Sequence, residues 1–549
     1  MHFKIKTIKG RKYLYLIKNE WIDKKVVQVM QKYIGTPDQV YELIQAGKPS
    51  HVASYPFGKP AALIKAAEEI GLIESINKHV GRKKIDGLTA AQYLLMIIIG
   101  RSEHAFSRNV LDDYFKRSVL QFFWEPKYKL SSQNFLNYMA KLDEDTIQKI
   151  ELDISRNLIK RGLKPNRLIF DTTNFYTHID HGDELPQKGN SKEKRFDKNL
   201  IGVGLTTSDH NIPFQSIAYP ANKNDSQLFS SIIDIIWKRL QDIEVPAEDV
   251  VVVFDRGMNS TENIQKAIEK MHVVGSLPSP MCKNFFKIPE SDFSETWENA
   301  SGHVIKAHPV ADKWYETDFN GVIRYNNSTR LKQLADWEQN KEKIFLKIEE
   351  FRAKLNRRGK GRKLTAKGLI NQVVDAIPKQ YRGLFDYKVV VFENKLQLDF
   401  ELNEVREKNF ISAMGKMIIF TDLKGLTSRQ IVEIYDSRNQ IETDIMWLKD
   451  KLMIPLKPTY VRRDVKIRAH VFLCVMGLLL YNYTLYTIAD PTLSMKQLAQ
   501  YLDQMKLGLV YMGEKNNRGR KDANFVIEDM NRGTAKVFSK LQLEHFIPT

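Results

Sequence analysis

Residues 250–255 read Val-Val-Val-Val-Phe-Asp, and residues 167–171 read Arg-Leu-Ile-Phe-Asp. Each stretch is a short apolar run that ends on an aspartate. A continuous apolar run without polar alternation predicts a strand buried on both faces, which requires covering elements above and below the sheet. The fold class is therefore α/β. Asp171 and Asp255 are then expected at strand ends, where α/β sheets bind their ligands. Strand-end aspartates also form turns and cap helices, so a functional site needs a third element.

Working outward, residues 201–207 and 212–219 read as two strands around the turn Ser208-Asp209-His210-Asn211. A helix is expected over 227–240 and another strand over 272–277. Upstream, residues 60–161 are helical in pattern. Thr89 caps an apolar helix through Tyr93, Leu94, Ile97 and Ile98, and a second amphipathic stretch covers 135–159. Tyr13, Tyr15 and Ile17 alternate ahead of Val27 and Val29, which predicts a small hairpin. Downstream, Leu334, Trp337, Ile344, Ile348, Phe351 and Leu355 mark an amphipathic helix over 331–355. A glycine-interrupted basic linker, 357–363, follows it. Residues 387–402 read as a hairpin and 416–420 as a further strand.

The chain has 549 residues, too many for one compact core. Lys and Arg number 84 against 66 Asp and Glu, a net charge of +18. An excess of that size favours a polyanionic partner, because each cation placed on a phosphate releases a condensed counterion. Cys282 and Cys474 stand far apart, without zinc-site spacing. A disulfide framework is excluded, and a reducing cytosol is the expected compartment. Residues 1–10 are basic and lack a signal-like apolar stretch. The apolar run 471–480 falls short of the roughly 20 residues a membrane span needs, so it is read as a buried core helix.

The third element begins at Thr427-Ser428-Arg429-Gln430, which fits a capping box. On the helix it starts, Tyr435, Arg438, Glu442 and Lys449 fall within an arc of roughly 60°. Ile434, Ile441, Ile445, Leu448 and Leu452 form the neighbouring apolar stripe. The plain alternative is a solvated face with an ordinary Arg–Glu pair four residues apart. An acid, two cations and an aromatic beside the buried edge suit phosphodiester chemistry better. Two divalent ions about 3.5–4 Å apart activate the attacking oxygen and stabilise the leaving one. Hard ions such as Mg²⁺ or Mn²⁺ take carboxylate oxygens. Asp171, Asp255 and Glu442 are the candidate catalytic metal ligands. Arg438 and Lys449 are placed to grip phosphates, and Tyr435 to bond a phosphate or pack on a sugar.

These residues resemble the insertion-sequence transposases with a D-D-E triad and a Y-R-E-K signature, an insertion-sequence-four-like superfamily. The signature stands here as Tyr435-x2-Arg438-x3-Glu442-x6-Lys449. Phe170-Asp171-Thr172-Thr173 and Phe254-Asp255-Arg256-Gly257-Met258 are similar to the family's settings of the first two acids. Ser191-Lys192 with Arg195-x-Asp197 is similar to a loop of one subgroup. Tyr219-Pro220-Ala221-Asn222-x2-Asp225 resembles its G-N-x-x-D stretch, with Ala221 in place of glycine. The resemblance runs from about 167 to 449, and more loosely over the N-terminal hairpin.

It implies a ribonuclease-H-like core, a mixed sheet with helices on both sides, interrupted by a mostly β insertion between Asp255 and Glu442. It also implies cut-and-paste movement of an element with inverted terminal repeats, carried out by a dimer on double-stranded DNA, both terminal-repeat and target. On this reading 1–48 is a small hairpin region, and 49–165 a helical region that is the candidate reader of end DNA. The first part of the core is 166–277, the insertion 278–415, the second part with the catalytic helix 416–490, and the C-terminal region 491–549. Lys192, Arg195, Arg357 and Arg358 are candidate DNA contacts. So is the basic run 515–521, with an unstructured segment as its alternative. His178, Asp180, His181, Asp183 and Glu184 crowd together either as a polar loop or as a second metal site. Rival readings are a nuclease of the same core and a non-catalytic DNA-binding relative. A two-carboxylate glycosidase leaves the basic charge and the Arg–Lys stripe unexplained.

Overall fold

The structure is a computed structural model that describes residues 1–22, 25–46, 49–103, 110–180, 183–299, 302–355, 365–392, 395–450, 453–459, 461–512 and 523–548. Strands β1 (His2–Ile8), β2 (Arg11–Ile22) and β3 (Lys25–Gly35) form a three-stranded antiparallel sheet. This is one strand more than the expected hairpin. Lys9 and Gly10, both at positive φ, make the tight turn that folds β1 onto β2. Strand β4 is Pro49–Pro56.

The central sheet is built from β5 (Arg167–Thr177), β6 (Asn199–Ser208), β7 (Pro213–Pro220), β8 (Val251–Val253), β9 (His272–Ser276), β10 (Glu295–Glu298), β11 (Val304–Trp314) and β12 (Thr317–Asn326). The hairpin of β13 (Phe385–Phe392) and β14 (Lys395–Leu402) stands apart, and β15 (Lys416–Thr421) returns to the sheet. The nine strands run in the order β10-β11-β12-β15-β9-β8-β5-β6-β7. Strands β5, β6 and β7 are antiparallel, β8 is parallel to both β5 and β9, and β15 is antiparallel to β9, so the sheet is mixed. Finally, β16 (Lys506–Met512) lies between β4 and β17 (Ala523–Ile527), joining the two ends of the chain.

The apolar runs are buried on both faces, as their lack of alternation required. Leu168, Val252 and Val273 enter one core, while their neighbours Ile169, Val253 and Val274 enter the other. Helices α1 (Gly58–Glu69), α2 (Ala90–Glu103) and α3 (Glu144–Lys160) precede the sheet. Helices α4 (Asp225–Asp242) and α5 (Thr261–Ile268) supply Phe229, Ile233 and Ile264 to the first core. Helix α6 (Asn327–Leu355) leaves the sheet altogether. Helices α7 (Ser428–Asp436), α8 (Arg438–Trp447) and α9 (Asp464–Ile488) supply the second core.

Two differences from the sequence reading bear on the site. The segment 278–415 is not one mostly β insertion: β10 to β12 join the central sheet through β15, which pairs with both β12 and β9. The part that departs is 327–414, dominated by the 29-residue α6 and organised on its own core of Trp337, Ile344, Ile348, Leu369 and Phe385. The outer edge of β9 needs a partner, and the returning β15 supplies it. The second difference is that α1 and α2 share a continuous core with α9 and are buried almost all round. Such helices have no free face to lay in a DNA groove. Helix α9 is also the one described helix long and apolar enough to cross a membrane, and 83% of its most apolar window is buried inside the fold.

Candidate active site

Asp171 sits in the middle of β5 rather than at its end. The strand continues because β6 pairs with it throughout, Asp171 opposite Leu205. On the other side the parallel partner runs out: β8 pairs with β5 only over Arg167–Ile169, with Ile169 opposite Val253. Asp171 and Asp255 are each two residues past that last pair. Neighbouring chains are about 4.8 Å apart, so the register brings the first two acids level across a crevice that opens where the ladder stops. Burial raises the Asp171 carboxyl above its ordinary range; Lys192 and the Thr172 N–H, which donates to Asp171 Oδ1 at 2.7 Å, oppose this, and the Asp255 charge adds to it.

The expected single helix for the third acid is two. The Thr427–Gln430 capping box starts α7 as its sequence required. Ser437 then interrupts it: the Ser437 hydroxyl donates to the Ile434 carbonyl at 2.6 Å, a local bond of the kind that bends helices. Arg438 opens α8 and lies between two acids, with Nη1 3.0 Å from Asp255 Oδ1 and Nη2 3.1 Å from Glu442 Oε1. Its side chain is 18% exposed, against 39% for Asp255 and 50% for Glu442, so the arginine lies deeper than the two acids it joins. Tyr435 does not present its ring outward as a DNA contact would. It is buried, donates from its hydroxyl to Ser276 Oγ at 2.9 Å, and supports the Arg438 guanidinium 5.5 Å from its ring centre.

Lys449 lies just past the end of α8, half-buried beside Asp171. Burial lowers its ammonium; Glu193 opposes this, Lys192 and Lys457 add to it, and Asp171 opposes it. Lys192 donates to the Thr172 carbonyl, so Lys192 and Lys449 bring cations from two separate segments to the first acid, while Lys457 pairs with Glu193. Arg195 is clamped by both oxygens of Asp197, at 2.9 and 2.8 Å, and lies over the Tyr176 ring. Arg357, Arg358, the linker around them and the basic run 515–521 lie outside the described residues. In the crowded loop, the Asp183 carboxylate accepts from the Asp464 N–H at 3.3 Å, and the Asp464 carboxylate accepts from the Glu184 backbone N–H at 2.9 Å. His181 lies outside the described residues.

Sequence reasoning missed Ser276, the Arg324–Asp436 pair beside Arg438, and Lys457. Nothing local marks any of them: Ser276 and Arg324 come from strands distant in sequence, Lys457 from the loop after α8, and Asp436, on α7 itself, gains its role only from Arg324. Asp225 was legible as part of a motif, and its place is indirect: it accepts from Thr172 Oγ1 at 3.0 Å and so steadies the backbone next to Asp171.

Among the described residues no three carboxylate, imidazole or thiol groups close into a ready metal cage. The donor set still suits a hard divalent cation, being all carboxylate oxygen, and Arg438 supplies positive charge between two of the acids. Asp255 and Arg438 also line one end of a cleft of about 1120 Å³ between the sheet and the 327–414 unit. Arg256, Lys283 and Lys287 on its wall are exposed.

Asp444 follows two residues after Glu442 but faces the core. It is 1% exposed, accepts from Asn482 Nδ2 at 3.1 Å, and its Oδ2 has no hydrogen-bond partner among the described residues. Burial raises its pKa from 3.8 to about 8, with Asn482 opposing. The folded chain therefore holds a proton that the unfolded chain releases. That contribution to stability is complete below the ordinary value and is lost as pH rises through about 8. Asp444→Asn is expected to lose less thermal stability than the wild type between pH 5 and pH 9. Equal losses in melting curves would refute the assignment.

Fold and site together define an α/β protein whose mixed sheet gathers three acids and an arginine beside a basic cleft. A family model described as the transposase DDE domain matches residues 162–480, more than half of the chain, and the chain belongs to that family. A comparison with curated proteins finds no match. The DDE transposases are enzymes that act on DNA and typically use divalent metal ions.

Proposed function

We propose that this chain is an insertion-sequence transposase of the Y-R-E-K group, which cuts DNA at the ends of its element and joins the freed 3′-OH ends to target DNA by cut and paste. The observation that carries the reading is the gathering of Asp171, Asp255 and Glu442, from a strand, a strand end and a helix, around the half-buried Arg438. A ribonuclease-H-like core is supported by the succession β7-β6-β5-β8-β9, with three antiparallel strands and then two joined in parallel.

Asp171, Asp255 and Glu442 would hold two Mg²⁺ or Mn²⁺ ions. Bound there, the ions supply activation of the attacking oxygen and stabilisation of the leaving one. The protein's own residues do the positioning. Arg438, oriented by Tyr435, offers a planar fork to a phosphate once the acids take other partners. Lys449 and Lys192 hold positive charge beside Asp171. The acting species is a homodimer on the DNA, bringing two element ends together in the cytoplasm at the nucleoid.

The test is cleavage of duplexes carrying the gene's flanking sequences. With Mg²⁺ or Mn²⁺ the wild type is expected to nick at the element ends and to join them to a plasmid; with EDTA it is expected to bind only. Asp171→Asn and Asp255→Asn are each expected to bind without cutting. Nicking without joining would identify a nuclease of the same core, and binding without cutting under every metal would leave a DNA-binding relative.

A further inference from the structure

Of the helices before the central sheet, α1 and α2 are buried in the core and offer no reading surface, while α3 keeps an exposed polar face. The chemistry of a DNA contact stands at the other side of the sequence. Residues 1–35 contain nine Lys and Arg against Glu20 and Asp23, so this short stretch carries +7 of the chain's +18. It folds as the sheet β1-β2-β3, and Ile17, its one fully buried large side chain, belongs to none of the three cores of the rest of the chain.

Cross-strand register sorts its faces. Lys4 stands opposite Tyr15, Lys6 opposite Tyr13, and Tyr33 opposite Tyr15, so these five side chains share one face. The Tyr33 ring lies 6.0 Å from Tyr13 and 5.5 Å from Tyr15, with the Lys6 ammonium 5.1 Å from the Tyr15 ring centre. At one tip, the Lys9-Gly10 turn projects Lys9, Arg11 and Lys12, all exposed. No hydrogen bond or ion pair joins the side chains of Lys4, Lys9, Arg11, Lys12, Lys25 or Lys32 to another described residue. Cations without internal partners, on a three-stranded sheet that also carries these aromatic rings, match a polyanion with grooves; Lys6 in addition donates to Gln31 Oε1 at 2.7 Å. A two-stranded β-ribbon fits the major groove of B-DNA.

We propose that the β1-β2-β3 sheet is a duplex-DNA-binding surface, with the Lys9-Arg11-Lys12 tip on phosphates and the tyrosine–lysine face against the groove. The proposal rests on the transposase reading only for which duplex is bound, namely the element ends.

The test uses the full chain carrying Glu442→Gln, in EDTA, so that binding is read apart from cleavage. Fluorescence anisotropy compares it with the same chain further changed at Lys9→Gln, Arg11→Gln and Lys12→Gln. These are tip positions outside any core, so folding is expected to persist, and circular dichroism checks it. Loss of three phosphate contacts is expected to weaken binding at least about tenfold and to flatten the log–log salt slope by about 2.7. Tyr15→Phe, which keeps the ring, is expected to retain the phosphate-dependent slope. An unchanged affinity and slope in the triple variant would overturn the proposal. So would binding of the sheet to vesicles of anionic lipid in place of duplex. If DNA binds through this sheet but the wild type never cuts, the fault lies in the active-site reading and not here.

Discussion

Replacing Glu442 by glutamine is expected to leave the protein folded and bound to DNA while slowing end cleavage by at least about 10³-fold. The side chain is half exposed, and among the described residues its polar contact is with Arg438. Glutamine retains an oxygen for that contact and fills the same volume, so neither the core of α8 nor the capping of α7 is disturbed. What it removes is one anionic oxygen donor of three. Several kcal/mol of charge stabilisation depend on a fully held divalent ion, and about 1.4 kcal/mol corresponds to each tenfold in rate. Single-turnover cleavage of a labelled end duplex measures the loss, and a binding titration in EDTA shows that DNA affinity is kept. If the variant cuts at the wild-type rate, Glu442 holds no catalytic metal and the triad is wrong.

The residues of this site were legible in the sequence where the signal is local. Phe170-Asp171 and Phe254-Asp255 announced themselves because strands buried on both faces leave an uninterrupted apolar run, and the capping box at Thr427 marks a helix start by side-chain chemistry alone. The geometry between elements was not legible. Periodicity placed Tyr435, Arg438, Glu442 and Lys449 on one stripe, but the helix is interrupted at Ser437, Tyr435 is buried against Ser276, and α8 ends at Trp447, two residues before Lys449. The middle of the chain failed for a similar reason. Strands β10 to β12 alternate weakly, because part of β11 is exposed on both sides, and whether they form a separate insertion or extend the sheet depends on an edge that β9 offers from far away. Pairing partners distant in sequence leave no periodic trace.

Arg239→Met is expected to cost about 3–5 kcal/mol of stability, the largest effect predicted away from the acids. Arg239 on α4 and Glu151 on α3 are 4% and 3% exposed and meet at 2.7 Å. The second Glu151 oxygen accepts from the Ser216 N–H at 3.1 Å and from its hydroxyl at 3.0 Å, so this pair fastens two helices to β7. Removing the arginine leaves a carboxylate in the core with only Ser216 to satisfy it. Burial already raises the Glu151 carboxyl, with Arg239 the main opposing influence, so the substitution pushes it higher still. A raised folded value means that the neutral form is the one the fold tolerates. The penalty is therefore expected to be small near pH 5 and to grow as pH rises through the folded value. Urea midpoints at pH 5 and pH 8 measure it. The double variant Glu151→Gln/Arg239→Met is expected to recover most of the loss at pH 8, because glutamine can keep the Ser216 bonds without a buried charge. If the single variant loses less than about 1 kcal/mol at pH 8, the pair is behaving as a solvent-screened bridge, and the attachment of α3 and α4 to the sheet rests on apolar packing alone.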